Sequence, residues 1–97
     1  MLDKRKFYIN GKWVSASKPN DLEVINPSNE DPYAVISLGS KEDLDKAVQA
    51  AKIAFKSWKK TSKEERLKLL EKLLEIYKKR FNEMAKAISD EMGAPMD

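Results

Sequence analysis

Two helix starts, each led by a serine, constrain the larger part of this 97-residue chain. Asp43 follows Ser40 at the third position, and Glu65 follows Ser62 at the same interval. A hydroxyl residue and an acidic residue at this spacing can satisfy two free backbone N–H groups where a helix begins. Apolar residues then recur every three or four positions, as on one face of a helix. The first start predicts a helix over residues 41–59.

The second start predicts one longer, continuous helix that ends at Met92. Gly93 suits a left-handed cap at that point, and Pro95 prevents the helix from continuing. Because only a few residues separate the two helices, we expect them to pack as an antiparallel pair. The apolar stripe of the longer helix comprises Leu67, Leu70, Leu73, Leu74, Tyr77, Phe81, Met84, Ala85, Ile88 and Met92.

The first third of the chain has the composition of strands and turns. Asn10-Gly11 is a strong hairpin signal, since both residues tolerate the positive φ of a type I′ turn. The flanking segments Phe7–Ile9 and Trp13–Val14 are rich in strand formers. A second hairpin is expected from residues 22–25 and 33–38, around a turn that contains two prolines.

Strands followed by helices define an α+β chain with two antiparallel β-hairpins and then an antiparallel helix pair. We expect an N-terminal tail over residues 1–6, a β-hairpin region over residues 7–38 and a two-helix region over residues 39–97. No flexible linker separates them, so the regions belong to a single domain. A domain of this size buries only about 60 to 65 % of its unfolded surface, so its stability is expected to be marginal.

The composition excludes several kinds of chemistry. The chain has no Cys and no His, which removes thiolate nucleophiles, imidazole bases and disulfides. Its three glycines lie too far apart for a phosphate-binding loop. The net charge of +3 gives a weak field, and Lys and Glu alternate along the helices as on a solvated face, so we expect no nucleic-acid partner. No apolar run is long enough for a membrane span, and the charged first residues do not form a secretory signal.

The end of the longer helix carries an unusual pair of acids. Asp90 and Glu91 lie in the last turn, where the helix dipole disfavours negative charge. Lys86 lies four residues before Asp90, whereas no basic residue lies three or four positions from Glu91. Glu91 is therefore either solvated or approached by a positive group, such as a cation held by a carboxylate and carbonyl oxygens.

Taken in order, the motifs resemble the N-terminal part of the NAD(P)-dependent aldehyde dehydrogenase superfamily over nearly the whole chain. The resemblance implies that this segment is the N-terminal part of the cofactor-binding domain within an α/β fold. It also implies that the catalytic Cys, the general-base Glu and the cofactor loop lie further along a longer chain. The motifs are Tyr8-Ile9-Asn10-Gly11-Lys12-Trp13, Val24-Ile25-Asn26-Pro27, the helix from Asp43 to Trp58, Ser62 to Leu70, and Asp90-Glu91-Met92-Gly93-Ala94-Pro95.

The resemblance implies an oxidoreductase that converts an aldehyde to a carboxylic acid with NAD or NADP. This segment would be a scaffold that packs against the remainder of the dehydrogenase. We assign no catalytic and no cofactor-binding residue to it, and we expect the chain alone to be inactive and to bind no cofactor.

The resemblance also implies a structural site for a monovalent cation. Its positions here are Val24 and Ile25, through backbone carbonyls, and the carboxylate of Glu91. The family often has a hydroxyl residue where Val24 stands and Asp where Glu91 stands, so the side-chain ligands differ in this chain.

An alternative is an independent short module that self-associates or binds a protein partner through its helices. Two helices and two hairpins without a further layer would leave apolar side chains such as Trp58, Tyr77, Phe81 and Met84 exposed. We therefore expect the chain to form a homo-oligomer. The absence of Cys is consistent with a cytoplasmic location.

Overall fold

The structure is a computed structural model that describes residues 1–96. Strands precede helices within that part, and the α+β class expected from the sequence is confirmed. The elements are β1 (Leu2–Lys4), β2 (Phe7–Ile9), β3 (Lys12–Val14), β4 (Asp21–Ile25), β5 (Pro32–Ser37), α1 (Lys41–Trp58), α2 (Lys63–Lys79) and α3 (Phe81–Met92).

The predicted Asn10-Gly11 turn joins β2 to β3. The φ angle is 54° at Asn10 and 75° at Gly11, and both values lie in the left-handed region that a type I′ turn requires. The two strands pair in antiparallel register, with Tyr8 opposite Trp13. The hairpin lies beside α1, which β2 contacts.

The second predicted hairpin is also present, as the antiparallel pair of β4 and β5. Leu22 lies opposite Ile36 and Val24 lies opposite Ala34. The register shifts between Val24 and Ile25. Tyr33 of β5 is the extra residue at this step, and an extra residue of this kind disrupts the pairing locally.

The first residues form a strand, which the expected N-terminal tail did not include. β1 pairs in parallel with the other edge of β5, and Leu2 lies opposite Ala34. Arg5 ties the end of β1 to β4, because its guanidinium donates to Asp3 at 2.9 Å and to Asp21 at 3.2 Å. The charged residues of β1 have a low propensity for strands. The strand therefore depends on the free edge of β5, which lies far along the chain.

Both predicted helix starts are confirmed. At α1, the Asp43 N–H donates to Ser40 Oγ at 3.3 Å and the Ser40 N–H donates to Asp43 Oδ2 at 3.0 Å. At α2, the Glu65 N–H donates to Ser62 Oγ at 3.1 Å and the Ser62 N–H donates to Glu65 Oε2 at 3.3 Å. Gly93 forms the predicted left-handed cap, with φ of 74°.

The prediction of one continuous second helix is wrong, because Arg80 separates α2 from α3. Its φ of −105° and ψ of 19° lie outside the helical region. The Arg80 N–H donates to the carbonyls of Ile76 at 3.0 Å and Tyr77 at 3.1 Å, so the last turn of α2 tightens. The Arg80 Nε donates to Glu83 at 2.9 Å in the first turn of α3. Arg and its neighbours are compatible with helix, so the apolar period does not reveal the break.

The predicted antiparallel helix pair is not formed. Within residues 1–96, the extensive contacts join strands to strands and α1 to β2, and none joins two helices. A short connection permits antiparallel packing but does not enforce it. Ala34 is the one buried apolar residue of the described part, and the helix stripes face solvent. No described helix is both long and apolar enough to cross a membrane.

Candidate functional site

The C-terminal end of α3 lies against the turn that follows β4. The Gly93 N–H closes the helix by donating to the Ser89 carbonyl at 2.8 Å. A Cβ atom placed on Gly93 would lie 3.3 Å from Pro27 Cγ and 3.7 Å from Ser28 Oγ. The fold therefore brings the Ile25-Asn26-Pro27 step and the helix end that carries Glu91 to the same region.

Hydrogen bonds within the turn hold its shape. The Asn26 N–H donates to the Asp31 carbonyl at 2.9 Å, and the Asn26 carbonyl accepts from the Glu30 N–H at 2.8 Å. The Asn26 side-chain oxygen accepts from the Ser28 N–H at 2.9 Å. Asn26 thus organises both ends of the turn, which gives the helix end a defined surface to contact.

The two predicted strand ligands stand at the irregular end of β4. Val24 is half-buried and Ile25 is exposed. Ile25 lies opposite Pro32, which has no N–H and cannot donate to the Ile25 carbonyl. The Ile25 carbonyl therefore accepts no hydrogen bond from Pro32.

The two acids of α3 differ in their surroundings. Asp90 is half-buried and accepts from Lys86 Nζ at 2.9 Å. Glu91 is exposed and forms no ion pair with any residue of the described chain. Burial, and then the negative charges of Glu91 and Asp90, raise the pKa of the Tyr33 hydroxyl on β5. Tyr33 therefore lies within electrostatic range of both carboxylates, a relation that the sequence prediction missed because it joins distant positions.

A second polar cluster lies at the start of α1. The Asp43 carboxylate accepts from the Ser40 N–H and, at 3.0 Å, from the Ser17 N–H. These bonds from Ser40 and then Ser17 lower the pKa of Asp43. All the groups are used in tying the 15–20 connection to the helix, so the cluster is structural.

The arrangement offers oxygen ligands from a carboxylate and from backbone carbonyls. In the part of the chain that is described, no three acidic side chains converge as they would around a metal ion. A single carboxylate and neighbouring carbonyls suit a weakly held monovalent cation better than a divalent metal. With no Cys or His in the sequence, the site has no thiolate nucleophile and no imidazole base.

Comparison with known proteins identifies the family. The sequence model of the aldehyde dehydrogenase family matches residues 13–97. A 3-succinoylsemialdehyde-pyridine dehydrogenase of Pseudomonas sp. is 48% identical over 96 residues, which are 99% of this chain and 20% of that protein. The chain belongs to the aldehyde dehydrogenase family, and it corresponds to the N-terminal segment of these proteins.

Solved structures agree with this assignment. The aldehyde dehydrogenase of Bartonella henselae is 64% identical, with a TM-score of 0.99 over all of this chain and 20% of that chain. Aldehyde dehydrogenase C of Pseudomonas syringae, solved with NAD⁺ and octanal, is 41% identical, with a TM-score of 0.93 over 95% of this chain and 19% of that chain. The chain therefore spans about a fifth of the length of these relatives.

Proposed function

We propose that this chain is the N-terminal scaffold of an NAD(P)-dependent aldehyde dehydrogenase that oxidises an aldehyde to a carboxylic acid in the cytoplasm. Bound NAD(P)⁺ would accept the hydride, and residues outside this segment would supply the nucleophile and base. Residues 7–38 and 39–97 would be two regions of one domain. The family match supports the reaction class, and the absence of Cys from the segment suits a reducing compartment.

The observation that carries the scaffold role is the large exposed surface. The chain exposes 8447 Å², whereas a folded monomer of 11.1 kDa exposes about 5,700 Å². Its radius of gyration is 17.1 Å, against about 12.5 Å for a compact domain of this length. The excess of about 2,800 Å² is more than three times what one partner buries in a standard protein interface. Such a surface is typical of a domain layer that lacks the layer packed on it.

The exposed surface has the pattern of a core. Leu67, Leu70 and Leu73 share one side of α2, and each is more than half exposed. A helix whose apolar stripe meets water gains little stability from it, whereas packing that stripe is the main source of helix stability in proteins. We therefore expect the remainder of the dehydrogenase to cover the three helices.

An activity comparison tests this role. The purified chain, incubated with octanal and NAD⁺ or NADP⁺, should give no increase in absorbance at the NADH wavelength above a buffer blank. The same assay on the complete reading frame that contains this segment should give a steady increase. Aldehyde-dependent NADH formation by the 97-residue chain would contradict the proposal. A natural stop codon directly after Asp97 would favour the independent module instead.

We further propose that Val24, Ile25 and Glu91 contribute to a monovalent cation site in the complete protein. The proposal is supported by the irregular end of β4 at Ile25 and by the carboxylate of Glu91, which forms no ion pair within the described chain. Val24 would act through its carbonyl alone. The ion would link the end of β4 to the end of α3.

Thermal stability of the full-length protein in potassium and sodium chloride tests the cation site. The melting temperature should rise with one of these ions relative to an equal ionic strength of a large organic cation. Glu91→Ala should abolish the rise. Glu71→Ala removes an exposed carboxylate from the middle of α2 and should leave the rise intact. Equal melting temperatures in all salts, for the wild type and both variants, would refute the site.

The chain by itself is a candidate for self-association. Trp58, Tyr77, Phe81 and Met84 are each between 44% and 59% exposed, which favours burial against a second copy. Light scattering of the purified chain should therefore give a mass above 11.1 kDa. A monomeric mass together with a cooperative melt would contradict self-association.

A further inference from the structure

The positive charge of this chain is concentrated at its N-terminal end. Residues 1–14 hold four basic residues and one acidic residue, whereas residues 15–97 hold fifteen of each. The whole net charge of +3 therefore resides on β1, β2, β3 and their connections. A segregated charge of this kind creates a local field that a uniformly mixed surface lacks.

Two exposed aromatic rings stand within this basic segment. Tyr8 and Trp13 are 63% and 68% exposed, and their ring centroids are 5.1 Å apart at an interplanar angle of 57°. Trp13 also lines a cavity of about 540 Å³ together with Asp3, Lys4 and Lys6, and the Asp3 carboxylate is paired with Arg5. We call Lys4, Lys6, Tyr8 and Trp13 the hairpin platform.

The lysines of the platform are available to a partner. Arg5 is committed to Asp3 and Asp21 by its ion pairs, whereas Lys4 and Lys6 form no ion pair within residues 1–96. Burying unpaired ammonium groups against an apolar surface is strongly unfavourable, because they lose their hydration without gaining a partner. The platform is thus unsuited to an apolar contact of the kind that the helix stripes require, and it suits a surface that brings negative charge.

We propose that the hairpin platform is a docking site for an acidic protein segment that carries one aromatic or aliphatic anchor. Tyr and Trp are among the residues that dominate binding energy at protein interfaces, and complementary charges select the partner and speed its association. The anchor would enter the cavity beside Trp13, and its flanking carboxylates would pair with Lys4 and Lys6. A nucleic acid fits less well, because single strands need a long cationic groove and successive flat stacking surfaces. Here the two rings are tilted, and only two lysines line the cavity beside Trp13.

Fluorescence anisotropy with a defined probe tests the proposal on this chain. The probe is a short fluorescein-labelled peptide in which glutamates flank one phenylalanine. It should bind, and raising the salt concentration should weaken it. Lys4→Glu/Lys6→Glu and Trp13→Ala should each weaken binding by about tenfold or more, the usual effect of losing a main anchor. Circular dichroism checks that each variant keeps the helical content of the wild type.

Matched probes and variants separate the possible outcomes. Lys72→Glu/Lys78→Glu makes the same charge change on exposed residues of α2 and should bind like the wild type at high salt. Absence of binding at about 0.1 mM peptide would overturn the proposal. Equal losses of peptide affinity in the platform and α2 variants would also overturn it, because they would show that binding depends only on the net charge of the chain. Tighter binding of an oligothymidine, lost in the platform variants, would replace the peptide by a nucleic acid and also overturn it.

Discussion

Substitution of Gly93 offers a quantitative test of how the end of α3 docks on the turn after β4. Gly93 has a φ of 74°, and a side chain in this left-handed region costs about 1 to 2 kcal/mol. Alanine also reduces the conformational entropy of the unfolded chain, which offsets about 0.4 to 1 kcal/mol of this cost. The backbone effect of Gly93→Ala is therefore a loss of about 1 kcal/mol.

The contact with Pro27 adds a second loss. The new Cβ would lie 3.3 Å from Pro27 Cγ, closer than an ordinary contact, and the ring belongs to a turn held by several hydrogen bonds. Overpacking of this kind costs about 1 kcal/mol at the lower end of its range. We expect Gly93→Ala to lower the free energy of unfolding by about 2 kcal/mol in total.

Gly11→Ala is the matched control. Gly11 has a φ of 75°, which equals that of Gly93 within a degree, but no atom lies within 4 Å of the position that a Cβ would take there. This variant should show the backbone loss of about 1 kcal/mol and no contact loss. Gly93→Asn complements it, because Asn tolerates the left-handed region while keeping the contact with Pro27.

Urea unfolding followed by circular dichroism would measure the three variants. The losses should decrease from Gly93→Ala to Gly93→Asn and Gly11→Ala. Equal losses for the two alanine variants would refute the reasoning, since they would indicate that α3 does not press on the turn in solution. A smaller loss for Gly93→Ala than for Gly11→Ala would refute it more directly.

Three further predictions concern the helices. Ser62→Ala should lower the free energy of unfolding by about 1 kcal/mol, because α2 loses its N-terminal cap. Urea unfolding measures this loss, and an unchanged urea midpoint would exclude a contribution from the cap. Because folding lowers the pKa of Asp43, its contribution is present above the ordinary carboxyl pKa and is lost as the pH falls through the folded value. Urea midpoints of Asp43→Asn between about pH 5 and pH 3 should therefore vary less than those of the wild type, and equal slopes would contradict this. Leu70→Ala should lower the free energy of unfolding of this chain by less than about 0.5 kcal/mol, because Leu70 is 62% exposed. The same substitution should cost about 2 to 5 kcal/mol in the full-length protein. A small loss in both proteins would argue against a layer that covers α2.

The features predicted correctly from the sequence are those whose energies are local. The Asn10-Gly11 turn depends on two residues that accept positive φ, and the helix starts at Ser40 and Ser62 depend on partners three residues away. Gly93 likewise needs only its own conformation and the preceding turn of helix. Such signals are complete within a few positions, so tertiary structure has little opportunity to override them.

The features that were missed depend on distant partners or on small conformational differences. β1 exists because β5 offers it an edge, and Arg5 then links it to Asp21. At the break, only Arg80 leaves the helical region, and the spacing of the apolar residues does not reveal a change at a single position. In the candidate site, the family resemblance indicated Val24, Ile25 and Glu91, and their role stays a prediction. The approach of Tyr33 and the contact of Pro27 with Gly93 became visible only in the folded chain.

The exposed apolar stripes of the helices have a consequence for the synthesis of the proposed full-length dehydrogenase. In such a protein this segment would leave the ribosome first, and about four times as many residues would follow it, given its share of the relatives' length. At a rate of synthesis of about 5–20 residues per second, the apolar stripes would stay uncovered for about 20 to 80 s, until the rest of the chain is made. We expect the dense Lys and Glu residues between the apolar positions of α2 to limit aggregation during this time, because charged, hydrated side chains oppose contact between neighbouring nascent chains.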